Sequence, residues 1–213
     1  KILNMKLLFF LLALATVFAQ PTATPAQELM NSTNDLDRLV STSLVAKLPL
    51  TNIGPSVMSG RVTDIDVNPN APHEFYVGYA SGGLWYTNNN GTTFQPVMDN
   101  SPTQNIGDIA VHWPTHTIYV GTGENNSSRS SYAGIGILKS MDKGASWQHI
   151  GLADSHHIGK IEINPTDPNE VIVGVTGHLY SSDSARGIYK TNDGGKTWKQ
   201  TLTLQDPVGI IEI

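Results

Sequence analysis

Three octapeptides of one pattern constrain this chain more than anything else in it. Thr87 to Phe94, Ser140 to Trp147 and Thr191 to Trp198 each read hydroxyl, any, Asp or Asn, any, Gly, any, hydroxyl, aromatic. They stand 53 and 51 residues apart. The pattern has a local physical cause. Asn89, Asp142 or Asp193 can bond backbone N–H groups within its own turn. Gly91, Gly144 and Gly195 can take the positive φ that closes the turn. The Ser and Thr hydroxyls add short-range bonds. Phe94, Trp147 and Trp198 are expected to pack the turn against its sheet. Each octapeptide therefore predicts a tight hairpin. These carboxylates could also be read as catalytic or calcium-binding. A functional residue need not recur in every unit, however, so we read them as structural staples.

The repeat extends beyond the turns. Units open at Gly60 (GRVTDIDVNP), Asn105 (NIGDIAVHWP) and His157 (HIGKIEINP), and a further one at Val208 (VGIIEI). With Ile65, Ile109, Ile161 and Ile211 taken as equivalent, the spacings are 44, 52 and 50 residues. Each full unit predicts four short strands. The first alternates around those isoleucines, and the second ends in Val-Gly (Phe75 to Gly78, Ile118 to Gly121, Val171 to Gly174). The third runs from a glycine to the octapeptide (Gly83 to Thr87, Gly136 to Ser140, Gly187 to Thr191). The fourth follows it (Thr93 to Val97, Ser146 to Ile150, Thr197 to Leu202). Four short strands in a repeat of about 50 residues are the signature of a β-propeller blade. The fold expected is all-β: about three blades plus the first strand of a fourth, the N-terminal part of a larger propeller. A closed ring needs about four blades or more, so the remaining blades are the partners expected first.

The segments before the repeat read differently. Met5-Lys6, the apolar run Leu7 to Phe18 and Ala19 have the charge, length and small final residue of a secretory signal peptide. Lys1 to Asn4 would lie upstream of the true start. Residues 1–19 are therefore assigned to upstream sequence and signal, predicting an exported protein that meets a membrane only through targeting. Residues 20–50 read as a linker and entry segment, with a short helix possible between Leu36 and Leu50. Residues 51–213 form the partial propeller. Charged residues are 15% of the chain and the net charge is −5, with no basic stripe. Nucleic acid is not an expected partner. Cysteine is absent, which excludes disulfides, thiolate catalysis and Cys-ligated zinc. No cofactor is indicated.

The octapeptides and the stretches Asn52 to Arg61, Ala80 to Trp85, Gly121 to Asn125, His157 to Gly159 and Gly177 to Leu179 carry a resemblance. The region from about Ile53 to Ile213 resembles the Asp-box (BNR-type) propeller superfamily, and within it exported bacterial sortilin-like or glycosyl-hydrolase-like proteins. The superfamily hosts sialidases, the sortilin luminal domain and xyloglucanase-type hydrolases, so the resemblance implies a fold more than an activity. Of the sialidase residue set, only Arg61 has a counterpart here. The xyloglucanase-type catalytic Asp sits in an Arg-Thr-Asp-x-Gly-Gly motif. The corresponding place here is Tyr79 to Gly83, which holds no carboxylate.

Propeller topology places the octapeptide turns on one face. Loops entering first strands and loops joining second to third strands lie on the other, where ligand sites are expected. Unusual polar residues fall there in every unit. Arg61 enters the first, Glu124 and Asn125 follow the second strand of the second, and His156-His157 enter the third, with His178 after its second strand. Arg61, Glu124, Asn125, His157 and His178 are the candidate ligand-binding residues. Together they suit an anionic or polar ligand, or a metal. Neighbouring His156 and His157 would diverge on a strand, so no metal ligand set is assigned. The reading is a module that binds a peptide or carbohydrate (glycan) without catalysis in this segment. The alternative is a glycoside hydrolase, sialidase- or xyloglucanase-like, whose other catalytic residues lie in further blades.

Overall fold

In the computed structural model, the structure describes residues 26–48, 60–126, 131–181, 184–204 and 208–213. Residues 1–19, expected to hold a signal peptide, and residues 49–59 lie outside these. The first described element is a helix, α1 (Ala26–Thr42). It begins inside the stretch expected to be a linker and ends before Leu50. Asn31, Ser32, Thr33 and Asn34 hide the helical signal, because such residues favour turns. Good helix formers around them and side-chain pairs one turn apart supply it: Gln27 with Asn31 at 2.9 Å and Arg38 with Asp35 at 3.4 Å. Among the described residues, no helix is long and apolar enough to span a membrane.

The rest is three four-stranded antiparallel sheets in meander order. The first holds β1 (Val62–Val67), β2 (Phe75–Tyr79), β3 (Gly83–Thr87) and β4 (Gln95–Pro96). The second holds β5 (Ile106–His112), β6 (Thr117–Thr122), β7 (Ile137–Ser140) and β8 (Gln148–His149). The third holds β9 (Ile158–Asn164), β10 (Asp167–Val175), β11 (Gly187–Thr191) and β12 (Lys199–Thr203). Each of the twelve strands predicted for the three full units appears, but β4 and β8 shrink to two residues each.

The turns work as their chemistry requires. Asp142 Oδ1 accepts from the Ser146 N–H at 2.9 Å and the Ser140 hydroxyl at 2.8 Å, and Oδ2 accepts from the Ser146 hydroxyl. Asp193 repeats the set with Thr197 and Thr191. The Ser146 bonds and the Ser140 hydroxyl hold the Asp142 carboxyl down at about 2. Gly144 and Gly195 both close their turns at φ 92°. The aromatic residues do something different from what was expected. Trp147 and Trp198 reach out of their own sheets. Their indole N–H groups cross to the preceding sheet, Trp147 to Val97 O at 2.8 Å and Trp198 to Ile150 O at 2.7 Å. Phe94, without an N–H, stays within its unit against Phe75.

Sheets stack face to face through a glycine. Gly78 faces Ile106 and Ile109, Gly121 faces Ile158 and Ile161, and Gly174 faces Ile210 and Ile213. A Cβ at Gly121 or Gly174 would lie 2.4 Å from the facing isoleucine and hold the sheets apart, and one at Gly78 would press on its neighbours at 3.2 Å. The stacking also corrects the register of the last repeat: Ile210 and Ile213, not Ile211, take the equivalent place. Residues 208–213 follow sheet three through Ile210, whose N–H bonds Val175 O, but form no strand, because no ladder neighbour accompanies them. Two cores result, one between sheets one and two and one between two and three. Every residue of β5 and β6 is buried, whereas β1 and β12 are largely open.

Candidate functional site

Antiparallel order puts the starts of β1, β5 and β9 and the β2–β3, β6–β7 and β10–β11 loops on one face, opposite the octapeptides. Arg61 stands immediately before β1, where its carbonyl accepts from Ala80 N–H at 2.8 Å. Its guanidinium pairs with Glu124, just beyond β6. The partners differ in environment: the Glu124 side chain is 1% exposed and that of Arg61 49%. Arg61→Ala therefore strands a buried carboxylate and is expected to cost about 3 kcal/mol. Glu124→Ala strands a guanidinium already half in water and should cost about 1 kcal/mol. Urea denaturation of the two variants compares them, and equal losses would contradict this asymmetry.

Asn125 braces the structure. Its Nδ2 donates to Ile158 O at 3.3 Å and Gly159 O at 3.2 Å, tying the β6–β7 loop to β9. Next to it, three imidazoles gather. His157 is buried, and burial pushes its pKa down to about 4, aided by His156 and His178 and opposed by a bond to the Gly123 backbone. The ring is neutral at physiological pH. Its Nδ1 is buried without a hydrogen-bond partner among the described residues. His156 turns toward His178, their ring centroids 3.5 Å apart, while the His156 and His157 rings are 6.4 Å apart. His156 takes φ 54°, a strained value for a side-chain-bearing residue.

Gly123 joins the two groups. Its N–H donates to Asn105 O at 3.0 Å, and a Cβ built on it would lie 1.9 Å from His156 O. Gly123 thus links Glu124, its neighbour in the chain, to His156 and to the His157 ring that it bonds. Sequence reasoning gave no role to Arg186, a buried cation whose Nη2 donates to His178 O at 2.5 Å and Ser181 O at 3.0 Å. Arginine is scarce in this chain, and an isolated one directly before a third strand was the available signal. The structure brings together Arg61, Glu124, His157 and His178, and adds His156 and Arg186.

The innermost strands line a groove of about 270 Å³ that carries Asp64, Asp66, Lys160 and Glu162. Half-buried Asp66 in this groove and buried Asp108 behind it are committed to neighbouring sheets. Asp66 accepts from Val111 N–H and the Trp113 indole, both at 2.7 Å. Asp108 accepts from Ile161 N–H at 2.7 Å and pairs with Lys160 at 3.5 Å. At the place of the xyloglucanase-type Asp, the β2–β3 turn presents Ala80, Ser81 and Gly82. Among the described residues, no cluster of His, Asp and Glu has metal-binding geometry.

Solved structures with this arrangement are propellers. An ancestral GH74 enzyme superposes with a TM-score of 0.52 at 21% identity, over 68% of this chain and 19% of its own. The GH74 enzyme of Niastella koreensis gives a TM-score of 0.50 at 18% identity, over 65% of this chain and 22% of its own. The fold is a β-propeller, present as three blades. The chain spans about a fifth of the length of these structures, and identities this low speak to fold alone. No protein-family model matches the sequence, and a comparison with curated proteins finds no match.

Proposed function

We propose that this chain belongs to an exported Asp-box propeller module, sortilin-like or glycosyl-hydrolase-like in lineage, that binds a peptide or glycan on the face opposite the octapeptide turns. The observation that carries this is His157. A neutral imidazole with a buried, unbonded Nδ1 lone pair stands beside two further imidazoles and the Arg61–Glu124 pair. That lone pair calls for a ligand N–H or O–H. A hydrolase reading has less support, since Asp66 and Asp108 serve backbone N–H groups and the β2–β3 turn lacks a carboxylate. Glycoside hydrolysis by the usual route needs two available carboxyl groups.

The test uses peptide and glycan arrays followed by calorimetry. The combined variant of Arg61, Glu124, His157 and His178 to alanine should lose the ligand that the parent binds, with a Kd at least about tenfold weaker. Circular dichroism verifies that the variant is folded. Unchanged binding in a folded variant sinks the proposal.

A further inference from the structure

We propose that a second pocket, at the rim of blade three, binds a neutral sugar through the Ser155 hydroxyl. The pocket has a volume of about 410 Å³ and lies between the short turn Ala153–Ser155 and residues 184 and 185, backed by Tyr189. It shares no wall with Arg61, Glu124, His157 or His178, so it stands independently of the function proposed above.

Ser155 is 2% exposed, and its Oγ has no hydrogen-bond partner among the described residues. A buried hydroxyl with no protein partner carries an unmet hydrogen-bonding demand that a ligand can meet. The turn that carries it is held at positive φ on both flanks, 55° at Leu152 and 54° at His156. The other walls narrow the ligand class. Asp154 supplies an acceptor and Ser184 a second hydroxyl, while Leu152 and Ala185 are apolar. The Tyr189 hydroxyl is used internally, donating to Ala185 O at 2.9 Å, so it is the ring that serves as a wall. No Lys or Arg lines the pocket among the described residues, which argues against phosphate, carboxylate or acidic sugars. A purely apolar ligand would leave Ser155 and Asp154 unmatched. A compact polyol with hydroxyls at its edge and C–H bonds on its face satisfies both kinds of wall. The volume falls within the range of about 300–1,000 Å³ usual for small-molecule sites.

The experiment titrates the full ¹⁵N-labelled chain with neutral mono- and disaccharides, using sialic and glucuronic acids as controls. At millimolar concentration at least one neutral sugar should shift the amides of residues 152–155 and 184–189. Ser155→Ala should weaken that binding by about tenfold, the loss of one hydrogen bond. Its Tm without sugar should equal or exceed the parent's, since it removes an unbonded buried hydroxyl. Ser184→Ala, at an exposed position, should weaken binding by a smaller factor, and Arg61→Ala should leave it unchanged. The proposal is overturned by no shift with any neutral sugar, by preference for the acidic sugars, or by parent-like binding in Ser155→Ala. A lower Tm for that variant without sugar would also overturn it, since the hydroxyl would then be bonded already.

Discussion

Gly123→Ala is expected to destabilise the chain by about 3 kcal/mol or more, through strain and a clash together. Gly123 sits at φ 89°, where a side chain is strained in any surroundings. The added Cβ would also lie 1.9 Å from His156 O and 2.7 Å from Gly134 N. Both atoms are backbone and cannot swing aside. They are also bonded to each other, Gly134 N–H donating to His156 O at 2.7 Å, so the methyl group would split that link. Because Gly123 seats the histidines beside Glu124, ligand binding should fall with stability. Gly91→Ala is the control. It has a similar φ of 77°, but its nearest neighbour is the Phe94 ring at 3.5 Å, so strain alone should cost about 1 kcal/mol. Guanidinium denaturation of the pair decides the matter, and equal losses would show that crowding at Gly123 is unimportant.

The second large effect is expected at Asp108. Burial, reinforced by Asp64, raises its carboxyl to about 8, against the opposing bonds from Ile161 N–H and Lys160. The folded pKa is above the unfolded one, so the folded state binds the extra proton. The stability this contributes is present below about pH 4 and is lost as pH rises through about 8. Asp108→Asn keeps an acceptor for Ile161 N–H and removes the titration. Relative to the parent, the variant should gain stability steadily between about pH 4 and 8, up to a ceiling of roughly 5 kcal/mol. Loss of the Lys160 partner offsets part of this. Thermal melts across that range test it, and a stability difference that does not change with pH would refute the assignment.

Much of the fold was legible because its determinants are local. The octapeptides carry their own hydrogen bonds, and the alternation around Ile65, Ile109 and Ile161 marks the first strands without reference to anything distant. What escaped notice is made by contacts between blades. The indoles of Trp147 and Trp198 bond carbonyls 50 and 48 residues away. The last repeat was misaligned because VGII matches IGDI and IGKI as text, while packing against Gly174 selects Ile210 and Ile213. Helix α1 was underestimated because its Asn and Ser residues look like turn formers. In the candidate site, loop position sufficed to nominate Arg61, Glu124, His157 and His178. The stacking of His156 on His178 and the burial of Arg186 depend on how two loops meet, which no local pattern records.

The burial gradient across the three sheets also sets where the molecule opens. β5 and β6 are covered on both sides, while β12 and the outer side of β1 face water. In a stack whose units lean only on their neighbours, backbone amides at the rims exchange through small, cheap fluctuations. Those of the middle sheet exchange only when the whole assembly comes apart. Glu124 and Asn125 hang from that slow-exchanging sheet, whereas His178 and Ser155 belong to the quicker one. A ligand gripping the face would therefore bridge a rigid anchor and a breathing flank, and binding would slow the flank's exchange most.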